Sequence, residues 1–383
     1  MKIAIVGAGI GGLTAAALLE EQGHQVKVFE KNTSINELSA GIGIGDNVLK
    51  KLGHHDLAKG IKNAGQNLTA MNIYDEQGTP LMSAKLKSHS LNVALSRQTL
   101  IEIIQSYVEE SSIHTGFKVT KIEQTSCKVT LHFTKQESES FDLCIGADGL
   151  HSVVRESVGA RTKIRYNGYT CFRGMVEDVQ FNDQHVANEY WGVKGRVGIV
   201  PLINQRAYWF ITVHAKEGDP KYQSFGKPHL QAYFNHFPNE VRNVLERQSE
   251  TGILLHDIYD LKPLKTFVYG RTILMGDAAH ATTPNMGQGA SQAMEDAIVL
   301  VNCLEKYDFN KAIERYDKLR VKHTTKVIRR SKKIGKMAQK HHKLTVKLRN
   351  TAMKLIPNAL ASAQTKFLYK SKEKKYMMTY IVK

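Results

Sequence analysis

A glycine-rich turn with an acidic residue downstream could bind a dinucleotide. The segment 7–12 (GAGIGG) matches the pattern G-x-G-x-x-G. In this pattern the first glycine allows a tight turn, the second lets a pyrophosphate approach the backbone, and the third lets helix and strand pack closely. Glu30 follows Gly12 by 18 residues, where a carboxylate accepts hydrogen bonds from ribose hydroxyls. The pattern predicts that Gly7, Gly9, Gly12 and Glu30 bind a dinucleotide, and it does not distinguish NAD from FAD.

Two more loops combine an acidic residue with glycines, each directly after a strand-like segment. In the segment 146–155 (GADGLHSVVR), Asp148 lies between the strand and a helix. Taken alone, Asp148 is equally well explained as a helix-capping or turn residue. The segment 276–289 (GDAAHATTPNMGQG) leads from a strand through a proline turn to a helix start, which is an anion site. Its candidate binding residues are Asp277, Pro284, Gly287, Gln288 and Gly289.

The elements that must position these loops follow from hydrophobic periodicity. Residues 2–6 and 25–30 have the pattern of strands, and residues 12–22 have the pattern of a helix, which together predict a βαβ unit. The segments 141–147 and 271–275 are further buried strands that end at the other two loops. Amphipathic patterns predict helices within 46–63 and 97–112, and alternation predicts a hairpin over 117–134.

The central part of the chain has a different pattern. Between 165 and about 270, alternating segments predict a mainly antiparallel sheet. From 289 onward the pattern is helical, with an interruption near Pro357. We therefore predict an α/β fold. It has a discontinuous Rossmann-like domain (1–165 and 271–305), an inserted mainly antiparallel-sheet domain for the substrate (166–270) and a basic helical region at the C-terminus (306–383).

Together the three motifs resemble those of the class A flavoprotein monooxygenases, aromatic hydroxylases with the p-hydroxybenzoate hydroxylase fold, over residues 1–345. The second and third loops are similar to that family's motifs D-G-x-x-S-x-x-R and G-D-A-x-H-x-x-x-P-x-x-G-Q-G. The resemblance implies that the glycine turn and Glu30 bind the ADP half of FAD, and that Arg97, in SRQTL, contacts the flavin nucleotide. It implies that Asp148 serves both FAD and NAD(P)H and that Asp277 binds the ribityl–pyrophosphate region. Gly287 to Gly289, after the Pro284 turn, would approach the isoalloxazine.

The same resemblance implies a reaction. The family hydroxylates small aromatic or heteroaromatic substrates with molecular oxygen and NADH or NADPH, through a flavin C4a-hydroperoxide. Because the sequence has one dinucleotide fingerprint, FAD alone would have a permanent binding domain, and NADH or NADPH would bind transiently. We predict no metal site, since His280 has no second ligand at zinc-like spacing and is better explained by a turn or packing role.

Arg196 and Tyr208 are the candidate catalytic residues. Their segments, GRVGIVP (195–201) and AYWF (207–210), are similar to strands of the bacterial FAD-dependent urate hydroxylases, in which an arginine and a tyrosine twelve positions apart orient the purine. An arginine could pair with an anionic or carbonyl-rich ring, and a tyrosine hydroxyl could complete the contact. The alternative is that Arg196 is an ordinary charge on a sheet face and Tyr208 packs in the core. Urate-like heteroaromatics, salicylate-like phenols and polycyclic compounds such as tetracyclines all stay open as substrates.

Positive charge is concentrated at one end of the chain. Residues 306–383 contain 23 Lys and Arg and 4 Asp and Glu, whereas the other residues contain 30 and 32. The region could be a helix packed on the first domain, could contact an anionic membrane surface, or could steer anionic NAD(P)H and substrate. We favour the packed helix and expect no stable membrane association, because Pro357 breaks the amphipathic pattern. Nucleic-acid binding is not expected, since no aromatic platform accompanies the charge.

Two rival functions stay open. One is a peripheral membrane flavin oxidoreductase that acts on a lipophilic quinone precursor or isoprenoid, and the other is a flavin-binding regulatory protein without catalysis. The four cysteines lie far apart and form no C-x-x-C pair, which favours a reducing cytoplasm. The sequence does not indicate the substrate, the choice between NADH and NADPH, or the oligomeric state.

Overall fold

The computed structural model describes residues 1–35, 40–53, 55–85 and 92–355, which contain both strands and helices. The strands are β1 (Lys2–Val6), β2 (Gln25–Glu30), β3 (Gly41–Ile44), β4 (Gln66–Leu68), β5 (Ala70–Asp75), β6 (Pro80–Lys85), β7 (Asn92–Ser96), β8 (Ile113–Thr115), β9 (Val119–Gln124), β10 (Val129–Phe133), β11 (Glu139–Phe141), β12 (Leu143–Gly146), β13 (Ile164–Val176), β14 (Val186–Trp191), β15 (Arg196–Pro201), β16 (Ala207–His214), β17 (Leu254–Leu261), β18 (Val268–Tyr269) and β19 (Thr272–Leu274). The α-helices are α1 (Ile10–Glu21), α2 (Asp46–Leu52), α3 (Asp56–Ala64), α4 (Arg97–Gln105), α5 (Val153–Ser157), α6 (Pro220–Gln223), α7 (Lys227–Tyr233), α8 (Asn239–Arg247), α9 (Asp277–His280), α10 (Gly289–Lys306), α11 (Phe309–Ala338) and α12 (Lys343–Lys354).

The first sheet has six strands in the order β18-β19-β12-β1-β2-β8. Strand β1 is parallel to both β2 and β12, and β12 is parallel to β19. Strands β1, β12 and β19 are buried almost throughout, whereas β2 alternates buried and partly exposed residues. Their apolar side chains join those of α1 and α10 in the larger hydrophobic core. Since the carboxyl ends of parallel strands meet at one edge, the three predicted loops emerge side by side.

The second sheet has seven strands in the order β17-β13-β16-β15-β14-β5-β6. Its neighbouring strands pair antiparallel, except that β14 and β5 are parallel. One face packs on α7 and α8 through a core that includes Phe172, Trp209 and Phe234. The other face carries Arg196 and Tyr208.

The predicted fold class is confirmed, with differences inside it. Residues 70–85, which sequence analysis placed in the first domain, form β5 and β6 and pair with the second sheet. Alternation predicts a strand but not the sheet that the strand joins, because the partner lies far away in sequence. Helices α6 to α8 within 166–270 were missed, since each spans fewer than ten residues.

The C-terminal region begins with the 30-residue helix α11. Its buried residues include Ala312, Tyr316, Val327, Ile328 and Ala338, so α11 packs along one side of the protein. Among the described helices, none has the combination of length and apolar character that crossing a membrane requires. The predicted interruption at Pro357 and the rest of the basic region to 383 lie outside the described residues.

Candidate active site

The glycine-rich turn connects β1 to α1, as its pattern predicts. Gly7 has φ +101°, and a Cβ on Gly12 would lie 2.0 Å from the carbonyl oxygen of Gly7. A side chain at Gly12 would therefore push the helix off the strand. A Cβ on Gly9 would meet no atom within 4 Å. The start of α1 thus faces open space that a phosphate could occupy.

Glu30 is the last residue of β2 and lies beside this turn. Its Oε2 accepts a hydrogen bond from the Ala8 N–H at 3.1 Å, and its Oε1 accepts one from the Asn32 N–H at 2.9 Å. These bonds hold the carboxylate at the carboxyl edge of the sheet. A ribose in front of the turn would find an acceptor there.

Asp148 follows β12 and has a local structural role. Its carboxylate accepts hydrogen bonds from the Ser152 hydroxyl at 2.5 Å and from the Val154 N–H at 3.1 Å. Burial raises the pKa of the Asp148 carboxyl, and these hydrogen bonds oppose the rise. Arg155 NH1 donates to the carbonyl oxygen of Ala278 at 3.0 Å. The second loop therefore supports the third through this hydrogen bond. That Asp148 contacts the cofactor stays a prediction.

The third loop leaves β19 and ends at α10. Asp277 is exposed and has no hydrogen-bond partner among the described residues. Pro284 begins a single 3-10 turn, after which Gly287 is left-handed with φ 59°. A Cβ on Gly287 or Gly289 would meet no atom within 4 Å. The N-terminus of α10 has no side-chain cap and so leaves backbone N–H groups available to an anionic ring edge, with the buried Gln288 directly before it.

These features test whether the implied FAD fits. Strands β19, β12, β1 and β2 are neighbours, so the open turn at Gly9, the Glu30 carboxylate, Asp277 and the start of α10 share one edge of the sheet. Arg97 is the first residue of α4. The pKa of His256 is lowered mainly by burial and also by the positive charges of Arg173 and Arg97, so Arg97 lies near His256. The ADP half would lie at the glycine turn and the flavin at α10. The residues fit FAD.

Replacing Asp277 with alanine should weaken FAD binding while leaving the fold intact, because Asp277 is exposed and supports no other described group. Loss of hydrogen bonds to a charged acceptor costs about 1.5–3 kcal/mol, so the Kd for FAD should rise about tenfold to a hundredfold. Flavin released after gel filtration or titrated into apoprotein measures this. Glu305→Ala removes an exposed carboxylate away from the cleft and should retain FAD; equal retention by both variants would contradict the assignment.

A buried ionic network supports the third loop from behind. Asp296 accepts from the Gly276 N–H at 2.9 Å, from His280 Nε2 at 2.5 Å and from Arg320 Nε at 2.6 Å. Glu295, next to it on α10, pairs with Lys51 and with Arg320 at 3.2 Å. His280 is therefore a partner of Asp296, which agrees with the predicted packing role. The network fixes the backbone just before Asp277.

Arg196 and Tyr208 lie on the same face of the second sheet, in different surroundings. Strand register places Tyr208 opposite Val200 and Arg196 opposite Thr212. The Tyr208 ring packs against β3, because a Cβ on Gly41 would lie 2.2 Å from its Cγ. Burial raises the pKa of the Tyr208 hydroxyl, although Arg173 and Arg196 oppose this. Tyr208 is thus a neutral phenol at physiological pH.

Arg196 is a buried ion-pair residue. Its Nε and NH2 donate to the two oxygens of Glu189 at 2.7 and 2.6 Å, and NH1 donates to Asn285 Oδ1 at 2.9 Å. Its guanidinium lies 5.6 Å from the Trp191 ring and 5.1 Å from the Phe210 ring. Asn285 belongs to the Pro284 turn, so Arg196 connects the sheet to the third loop. It is not an ordinary sheet-face charge, and its role toward substrate stays a prediction.

Sequence reasoning missed Glu189, Asn285 and Arg173. Glu189 and Asn285 give no signal, because recognising them requires the strand register and a contact 89 residues away. Arg173 lies opposite Phe210 in the register, on the same face as Tyr208. Its Nε is buried and has no hydrogen-bond acceptor among the described residues. Alternation along β13 could have placed Arg173 on this face.

Comparison with known proteins agrees with this geometry. The family model described as FAD binding domain matches residues 1–331. The 3-amino-4-hydroxybenzoate 2-monooxygenase of Streptomyces cremeus is 32% identical over 348 residues, covering 88% of this chain and 87% of that protein. The FAD-dependent urate hydroxylase of Klebsiella pneumoniae is 32% identical over 311 residues, covering 78% and 80%. The crystal structure of Klebsiella pneumoniae HpxO complexed with FAD and uric acid has a TM-score of 0.87 at 26% identity, covering 96% of this chain and 97% of that chain.

The residues that the family model matches include all three loops, and the geometry of these loops fits FAD. The likeness to monooxygenases and hydroxylases extends through the second sheet and into the C-terminal helices, since it covers 96% of the chain. The chain therefore belongs to the FAD binding domain family and is an FAD-dependent monooxygenase of the class A flavoprotein type.

Proposed function

We propose that this enzyme uses NADH or NADPH and molecular oxygen to hydroxylate a small planar heteroaromatic compound with a carbonyl or anionic edge. The observation that carries the proposal is Arg173, a cation on the sheet face whose Nε has no acceptor among the described residues. All three guanidinium nitrogens of Arg196 are bonded to protein groups, whereas Arg173 has a hydrogen bond with the Cys171 side chain and an Nε without an acceptor among the described residues. Arg173 is therefore the better donor for a ligand.

The residues of this chain would divide the work. Bound FAD supplies the hydride acceptance and the transfer of an oxygen atom. Arg173 orients the polar edge of the ring, and Tyr208, a neutral phenol, can donate a hydrogen bond from the same face. Arg196 holds Asn285 and with it the third loop, so it positions the cofactor relative to the sheet.

A substrate screen tests the proposal. Purified protein is loaded with FAD, and the oxidation of NADH and NADPH is measured with urate, 3-amino-4-hydroxybenzoate and a 4(1H)-quinolone. These compounds are suggested by the names of relatives, which also include the aurachin C monooxygenase/isomerase of Stigmatella aurantiaca. The product should gain one oxygen atom by mass. A long-chain isoprenoid is tested in the same assay. Stimulation by the isoprenoid alone would favour the lipophilic rival, and absence of any NAD(P)H oxidation would favour a regulatory protein. Cell fractionation should place the enzyme in the cytoplasm.

Arg173→Ala should lower kcat/KM for the substrate found in that screen. Loss of a charge-assisted hydrogen bond costs about 1.5–3 kcal/mol, which corresponds to roughly one to two decades in kcat/KM. FAD content should be unchanged, since Arg173 lies on the sheet and not in the three loops. Arg247→Ala removes an exposed arginine from α8 on the opposite face and should leave the kinetics unchanged. Unaltered kcat/KM in Arg173→Ala would remove Arg173 from substrate binding.

A further inference from the structure

A basic cavity lies outside the cleft that fits FAD, between α11 and the second sheet. It has a volume of about 510 Å³. Six of its eight lining residues are basic, and the lining consists of Arg165, Lys262, Pro263, Ile328, Arg329, Lys332, Lys333 and Lys336. Four of these basic residues lie on α11, where turns of the helix place them on one side.

The charges of the basic cavity are poorly balanced by the protein. Buried Asp260 accepts from Arg165 at 2.7 and 2.9 Å, and its Oδ2 lies 3.6 Å from Lys332 Nζ. Within the described part of the chain, Lys262, Arg329, Lys333 and Lys336 form no ion pair with a carboxylate. Six positive charges therefore surround one negative charge. A ligand with several phosphate charges would relieve this repulsion.

A second cavity connects the basic cavity to the flavin loop. Its volume is about 300 Å³, and it shares Lys332 and Lys336 with the basic cavity. It also reaches Tyr169, Thr283 and Asn285. Helix and loop are in contact here, because a Cβ on Gly335 would lie 2.5 Å from Asn285 Nδ2. Polar surface thus continues from the basic cavity to the loop that precedes the start of α10.

We propose that the basic cavity binds the phosphates of NADPH, one of the two transient dinucleotides allowed by the proposed function on which this inference rests. The single glycine fingerprint is used by FAD, so the phosphates of a second dinucleotide need another site. This site is separate from the Asp148 loop, whose contact with NAD(P)H stays a prediction. The cavity has the size of a small-molecule site, and the 2′-phosphate adds a charge of about −1.5 to −2 that NADH lacks. The structure therefore favours NADPH over NADH.

Equilibrium binding of NADP⁺ to oxidised, FAD-loaded enzyme tests the proposal. The double variant Lys333→Gln/Lys336→Gln removes two charges from the basic cavity and none from the cleft that fits FAD. By calorimetry at low salt, its Kd for NADP⁺ should rise at least about tenfold, because two charge-assisted contacts are lost. The control, Lys322→Gln/Lys326→Gln, removes two exposed charges from the same helix outside both cavities and should leave the Kd unchanged. Wild-type enzyme should also bind NADP⁺ more tightly than NAD⁺.

Other outcomes would overturn the proposal. Equal effects in both double variants, no effect in either, or no NADP⁺ binding by wild-type enzyme at millimolar concentration would do so. If the cavity variant loses binding to phosphatidylglycerol vesicles while its affinity for NADP⁺ is unchanged, the cavity serves a lipid surface. Failure of the proposed function is distinguishable: NADP⁺ would then bind in the basic cavity, but no aromatic compound would stimulate NADPH oxidation.

Discussion

Replacing Glu189 with alanine should lower the free energy of unfolding by about 3–5 kcal/mol, since it leaves the buried Arg196 charge without its carboxylate. The Arg196 and Glu189 side chains are 6% and 7% exposed, and Glu189 also accepts a hydrogen bond from Trp191 Nε1 at 2.8 Å. Urea denaturation followed by fluorescence of the tryptophans measures the change. FAD retention should fall as well, because Arg196 then no longer holds Asn285 in the third loop.

Two further variants separate loss of the ion pair from general damage. The double variant Glu189→Leu/Arg196→Met removes both charges and should recover most of the lost stability, since apolar residues often replace a buried pair at little cost. Asp56→Ala breaks the exposed pair between Asp56 and Lys59 and should leave the melting temperature unchanged. If Glu189→Ala is as stable as wild type, the buried pair does not support the sheet.

The same pair shows where sequence reasoning ends. The three loops could be predicted because each motif is contiguous and its glycines obey local backbone limits, as the crowded Gly12 and the left-handed Gly287 show. Arg196 could be found, but its partner could not. Glu189 lies seven residues away on a neighbouring strand, and only the register of β14 and β15 brings the two side chains onto one face.

Long-range pairing limits the prediction of the domains in the same way. The strands at 70–85 join the second sheet through a parallel contact between β5 and β14, and no local pattern encodes that contact. The basic character of 306–383 is plain in the sequence, whereas the cavity is not. It forms only when α11 lies against Arg165 and Lys262, which come from distant parts of the chain.

Acidification from pH 6.5 to about 4 should destabilise the enzyme through His323, which lies against the network behind the third loop. The pKa of His323 is lowered to about 4, mainly by burial and also by the positive charges of Arg320 and Lys51. The negative charges of Glu295 and Asp296 oppose this shift. In this pH window the unfolded chain binds a proton that the folded chain does not, so stability falls with pH. At 1.36 kcal/mol per unit, the loss reaches about 3 kcal/mol at pH 4.

Protonation of Glu295 extends the loss of stability to lower pH. Its pKa is lowered to about 2 by Arg320 and Lys51 against the opposing effect of burial, so its stabilising effect is complete above its unfolded pKa and disappears as pH falls toward 2. The pH dependence of urea denaturation between 7.5 and 4.5 therefore reports on histidines and on Asp148 and Asp317, whose pKa values are raised by burial and which act in the opposite direction. His24, His114, His214 and His256 also have lowered pKa values and contribute in the same direction as His323.

His323→Gln separates the contribution of His323 from that of the other four histidines, because they are present in both proteins. The variant should lose less stability than wild type between pH 6.5 and 4.5, by about 1.36 kcal/mol for each pH unit. His229→Gln removes an exposed histidine on α7 and should keep the wild-type slope. Because Asp296 holds Gly276, the acid-weakened network should also release FAD earlier in wild type than in His323→Gln. If both proteins lose the same free energy of unfolding per pH unit, the folded network does not keep His323 unprotonated.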